Sequence, residues 1–141
     1  TANIAFAGFT APKILWVKEN EPENFAKIAK IMLPKDYIAY KMTGVHSCDY
    51  SDASGMLLLD VKNKCWSKEM MEICDVKEEQ LPKLFESYEV TGSLTEEAAA
   101  ALGLTTNCKI AANILGFSLR RKCCITTSIF IHRIYCIRTA F

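Results

Sequence analysis

Beyond Glu97 the chain contains no acidic residue, although all sixteen of its Asp and Glu stand before that point. The same stretch carries Lys109, Arg120, Arg121, Lys122, Arg133 and Arg138, so the two parts of the chain have opposite sign. Such one-sidedness is unlike the surface of an ordinary globular domain, and either the parts pair or they were not made for each other. Over the whole sequence, 17 Lys and Arg against 16 acids leave a net charge of +1. No global field therefore draws the chain to nucleic acid or to an anionic membrane. Glycine is scarce at six residues, and none stands in a G-x-x-x-x-G-K-[ST] or G-x-G-x-x-G pattern, so nucleotide binding cannot be argued from glycine loops. No apolar run reaches the roughly 18 residues a membrane helix needs. The best candidate, "ITTSIFIHRIYCI", is short and contains His132 and Arg133.

Signals of secretion are equally missing. There is no signal-peptide pattern and no Asn-x-Ser/Thr sequon, and the seven cysteines are odd in number without framework spacing. The expected compartment is a reducing, cytoplasmic one. Neither His46 with Cys48 nor His132 with Cys123, Cys124 and Cys136 fits a zinc spacing, so no metal is expected. The basic end shows no periodic aromatic and charged face, which argues against nucleic acid. With 141 residues the chain has room for one domain.

What is present is a series of punctuated amphipathic stretches. Thr10 is placed to cap a helix with Pro12 in its first turn and Ile14, Leu15 and Val17 on its apolar side, ending near Asn20. Pro22 opens a second helical pattern through Phe25, Ile28, Ala29 and Met32, closed by Pro34; a third runs from Lys35 to Gly44. "HSCDYSDASG" reads as a polar loop in which Asp49 and Asp52 could serve a metal or an acid/base pair, with turn capping the expected use. A strand or hairpin is expected over Met56 to Val61, then a short helix capped by Ser67, a strand near Tyr88 to Gly92, and a helix from Thr95 stopped by Gly103. Met70 and Met71 are expected to fill core. By itself this describes a mostly helical α/β piece with no visible active centre.

The stretch "GFTAPKILWVKEN" resembles the first signature of the FGGY carbohydrate kinases at every position. The blocks "NEPENFAKIAKIMLPKDYIAYKMTG", "DYSDASGMLLLDV", "CWSKEMMEICDV" and "LPKLFESYEVTGSLTEEAAAALGL" are similar, in order, to the xylulokinase branch of that family. The resemblance covers residues 3 to 112 and implies part of the N-terminal domain of an actin-like, ribonuclease-H-like kinase, with residues 113–141 a non-family tail that is out of frame or disordered. The apolar "NIAFAGF" reads like the middle of a chain, so Thr1 is expected to be a cut edge.

The resemblance further implies a parent enzyme that moves the γ-phosphate of ATP, with Mg²⁺, to D-xylulose, giving D-xylulose 5-phosphate. In that family the general base is an aspartate in a "GGGDQ"-like stretch soon after the block ending in "LGL". Here "ILGFSLRRKCCITTSIFIHRIYCIRTAF" follows instead, so this chain alone is expected to be inactive and to bind no cofactor. Its alternatives are another FGGY sugar or polyol kinase, for gluconate or ribulose, and a non-catalytic binding module with a basic tail. By the same resemblance Phe6, Gly8 and Phe9 lie nearest the sugar, and Asp52 and Ser54 face the cleft. Gly8, Thr10, Pro12, Lys13 and Trp16 form the signature, with Trp16 expected to be buried and Lys13 paired or solvated.

Overall fold

The computed structural model describes residues 1–113, and the expectations for the tail lie outside them except at Asn113, which is buried with its N–H donating to the Ser87 carbonyl. It divides into two units: Thr1–Leu33 with Cys48–Leu84, and Pro34–Ser47 with the chain from Phe85 onward.

In the first unit, helix α1 covers Thr10–Asn20. Its N-cap is Phe9, which makes no side-chain cap bond, so Thr10 is the first helical residue rather than the cap. Helix α2 is only Pro22–Phe25. The helical pattern over Ile28–Met32 is overridden because its backbone is engaged at long range. The Ile31 N–H donates to the Gln80 carbonyl at 2.8 Å and the Gln80 side-chain amide donates to the Ile28 carbonyl at 2.7 Å. Those bonds compete directly with the i to i−4 ladder a longer helix would need.

Strand β1 (Ser47–Asp49) is followed by a helix where a loop was expected, α4 (Tyr50–Gly55). Asp49 makes it possible: its Oδ2 accepts from the N–H groups of Ser51 at 3.0 Å and Asp52 at 3.2 Å, satisfying two donors a helix start leaves open. After α4 the chain turns through Leu57, whose φ of 62° is left-handed, and enters the hairpin of β2 (Leu59–Asp60) with β3 (Cys65–Trp66). Met56, Leu57, Leu58 and Leu59 are all buried and, with Ala11, Ile14 and Trp66, anchor the core. Each such side chain contributes about 1.5–3 kcal/mol, enough to outweigh the roughly 1–2 kcal/mol of a left-handed leucine. Helix α5 (Lys68–Cys74) starts at Ser67, whose hydroxyl accepts from the Met70 N–H at 3.3 Å, as its sequence suggested. Met70 and Met71 pack against the core, and a 3₁₀ turn at Glu78–Gln80 leads to β4 (Lys83–Phe85), which pairs with β1.

In the second unit, Pro34 opens rather than follows a helix, α3 (Pro34–Thr43), which ends at Gly44 with φ 74°. Helix α6 (Glu96–Leu102) is capped by the Thr95 hydroxyl and closed by left-handed Gly103, both as expected. The strand expected over Tyr88 to Gly92 is present as β5 (Val90–Ser93), antiparallel to β6 (Lys109–Ala111). Space is tight at Gly92, where a Cβ would sit 3.2 Å from the Thr43 Cβ. Met42, Leu94, Ala99 and Ile110 form this unit's core.

Candidate functional site

The residues singled out by the resemblance all fall within the first unit as two adjoining pieces, the stretch before α1 and helix α4, with the signature continuing along α1. Ala11 and Ile14, one turn apart, are buried on α1. Trp16 lies two residues past Ile14, about 200° round the helix. It points away from the core and is 56% exposed, which corrects the expectation that it is buried. Lys13, beside it on the outer side, is also exposed. Pro12 stands in the first turn, where a missing N–H is no loss.

Residues 1–8 are exposed, Phe6 at 62%, and Phe9 is half-buried against the core. A turn folds this stretch on itself. The Phe9 N–H donates to the Phe6 carbonyl at 3.0 Å, and the two rings stand 6.1 Å apart, tilted by 45°. Gly8 sits inside that turn. A Cβ built on it meets nothing within 4 Å, so packing among the described residues does not demand glycine there.

The stretch and the start of α1 are joined to α4 and the residue after it by two hydrogen bonds. The Asn3 side-chain amide donates to the Ser54 carbonyl at 3.0 Å, and the Ala11 N–H donates to the Met56 carbonyl at 3.0 Å. The first takes up a carbonyl that the end of α4 leaves open, the second a donor that the start of α1 leaves open. The Ser54 hydroxyl is turned inward to its own helix, donating to the Ser51 carbonyl at 2.6 Å. Asp52 is half-buried in the first turn of α4. The segments holding Phe6, Gly8, Phe9 and Asp52, Ser54 are thus tied together, without a direct bond between those side chains being part of the tie. Sequence reasoning missed Asn3 and α4. The helix had a signal, since Asp49-x-x-Asp52 has the form of a helix start; Asn3 had none, its partner being 51 residues away.

Two grooves of the first unit lie elsewhere. One of about 420 Å³ is bordered by Phe25, Ile28, Lys30, Lys77 and Gln80; another of about 410 Å³ by Tyr50, Cys65, Trp66 and Lys83. None of Phe6, Gly8, Phe9, Asp52 or Ser54 lines them. Among the described residues no three His, Cys, Asp or Glu side chains converge as a metal site would require. Cys48, Cys65, Cys74 and Cys108 are not disulfide-bonded, and burial pushes the Cys74 thiol up, partly offset by the Lys18 ammonium. No described helix is long and apolar enough to cross a membrane.

Comparison with known proteins defines the class. Residues 1–115 match the N-terminal domain of the FGGY family of carbohydrate kinases, and the chain belongs to that family. Among its relatives, the xylulose kinase of Escherichia coli K12 is 48% identical over 106 residues, covering 75% of this chain and 22% of that protein. The crystal structure of a xyloylose kinase from Brucella ovis is 42% identical with a TM-score of 0.75, over 79% of this chain and 23% of the other. That of a gluconate kinase from Lactobacillus acidophilus is 30% identical with a TM-score of 0.73, over 76% and 22%. The fold is therefore a partial actin-like kinase domain, and the chain spans about a fifth of the length of its relatives.

Proposed function

We propose that the chain is part of a kinase that transfers the γ-phosphate of ATP to D-xylulose, yielding D-xylulose 5-phosphate, and that it supplies sugar-side wall rather than phosphate chemistry. The observation that carries this reading is the 48% identity over 106 residues to a xylulose kinase. Phe6, Gly8 and Phe9 border the sugar in this reading, with Asp52 and Ser54 toward the cleft. Its physical support is Gly8, a glycine that neither neighbouring atoms nor its backbone conformation require, and which leaves room for close approach. Residues 1–112 act as domain and the remainder as a tail outside it.

The reaction needs Mg-ATP, and the described residues offer neither a glycine-rich phosphate loop nor a converging carboxylate set, so they are assigned no part in holding it. What they do is bind and orient: an exposed aromatic-flanked turn presents backbone and ring edges to a polyol, which pairs apolar ring faces with hydroxyl hydrogen bonding. The unbridged thiols accord with a reducing cytoplasm. Another FGGY sugar or polyol kinase is the second reading, favoured by the likeness to the gluconate kinase.

The test is a hybrid: residues 1–113 replace the homologous span of a full-length xylulose kinase, and ADP release is measured with D-xylulose, gluconate and ribulose, alongside the 141-residue chain alone. Xylulose-dependent release by the hybrid and none by the chain is expected. A folded hybrid that prefers gluconate overturns the choice of sugar, and turnover by the chain alone overturns the division of labour.

A further inference from the structure

We infer that Asn3 is a positioning residue, whose side-chain amide fixes the turn bearing Phe6, Gly8 and Phe9 and thereby sets the affinity for the sugar. The inference rests on the reading above for its link to xylulose, but the restraint itself is independent of that reading.

Little else holds the turn. Residues 1–8 are exposed, so burial contributes little before Phe9, which is half-buried against the core, and the Phe9-to-Phe6 bond closes the turn only on itself. Fastening comes from its two ends. At one end Asn3 reaches the Ser54 carbonyl; at the other the Ala11 N–H reaches the Met56 carbonyl. These acceptors are two residues apart in sequence, so they lie within about 7 Å of each other. A segment from residue 3 to residue 11 is thus gathered onto one short piece of chain, and both its ends are defined.

The two fastenings differ in kind. The Ala11 bond is made by main chain at the start of α1, where the Ala11 side chain is itself buried, and depends on no side-chain donor. The Asn3 bond is made by a side chain at an exposed position, so it is where the sequence decides whether the turn is held. Its acceptor is rigid: Ser54 is in α4, whose start is capped by Asp49 and whose following residues, Met56 to Leu59, are buried. Losing the donor frees one end of the turn while leaving α1, α4 and the core as they are. A sugar would then have to order the segment as it binds, which weakens apparent affinity without altering a chemical step.

Three variants separate the donor from the side chain's bulk. Asn3→Asp keeps size and loses the donor, Asn3→Ala loses both, and Asn3→Gln retains an amide able to donate. In the 141-residue chain, hydrogen exchange at the Phe9 amide is expected to quicken by about 2- to 5-fold in Asn3→Asp and Asn3→Ala, as befits one exposed hydrogen bond, and to recover at least partly in Asn3→Gln. In the hybrid kinase, the KM for D-xylulose is expected to rise by about the same factor, with kcat and the KM for ATP unchanged. Unchanged exchange in Asn3→Asp overturns the restraint. Quicker exchange with an unchanged xylulose KM overturns its link to the sugar. A hybrid without xylulose-dependent turnover counts against the functional reading, and the exchange result then decides the restraint.

Discussion

Residues 1–9 and residues 50–59, joined by the Asn3–Ser54 hydrogen bond, are held in opposite ways. The first stretch is almost wholly exposed and is fixed by a few hydrogen bonds, one of them from a single side chain. The second is a capped helix running into four consecutive buried apolar residues. The difference teaches where each kind of information resides. Residues 50–59 provide a support that cannot move without opening the core, and residues 1–9, Asn3 and the half-buried Phe9 apart, present exposed side chains and backbone.

The largest effect expected from breaking this contrast is in the support. Leu58 is fully buried, so Leu58→Ala should lower the unfolding free energy by about 2–5 kcal/mol, read from urea or thermal unfolding of the chain. A loss under about 1 kcal/mol would mean that this segment is not core.

Trp16→Ala sharpens the comparison from the other side. Burial of Trp16 would make truncation cost about 3–5 kcal/mol, whereas an indole on the outer side of α1 should cost less than about 1 kcal/mol in the same unfolding measurement. A large loss would restore the buried reading for this chain.

The smallest effect is electrostatic. The Asn63 side chain and the Asn63 and Lys62 N–H groups, donating to Asp60, hold its carboxyl below the ordinary value. Because the folded state has the lower pKa, this contribution is present above the unfolded carboxyl's pKa and fades as pH falls through the folded one. Asn63→Ala should raise the Asp60 titration midpoint followed by NMR, with little change in stability at neutral pH. An unmoved midpoint would show that Asn63 is not the cause.

Much of the fold was legible because its signals are local. Ser67, Thr95 and Gly103 act at the helix ends where their chemistry predicted, each within a few residues of what it caps. Expectations failed where distant partners decide. Ile28–Met32 has helical spacing, yet Gln80 claims its backbone; the stretch read as a polar loop holds α4 because buried Asp49 spends its carboxylate on capping. Trp16 was misjudged because residue type was weighed above helical phase: Ala11 and Ile14 set which side faces inward, and Trp16 is nearly opposite. The site was legible only through the family signature, since Phe6, Gly8 and Phe9 form no motif with a chemistry of its own, and Asn3 could not be singled out before its partner Ser54 was known.

The central claim, that the turn before α1 lies against the sugar of a xylulose kinase, is tested most directly by Gly8→Leu in the hybrid enzyme. Nothing lies within 4 Å of a Cβ at this position, so the substitution should leave folding intact and act only through what approaches from outside. The account predicts a KM for D-xylulose raised by about 10-fold or more, the scale of one obstructed contact, with the KM for ATP unchanged. A rise in both constants together, or in neither, would contradict it.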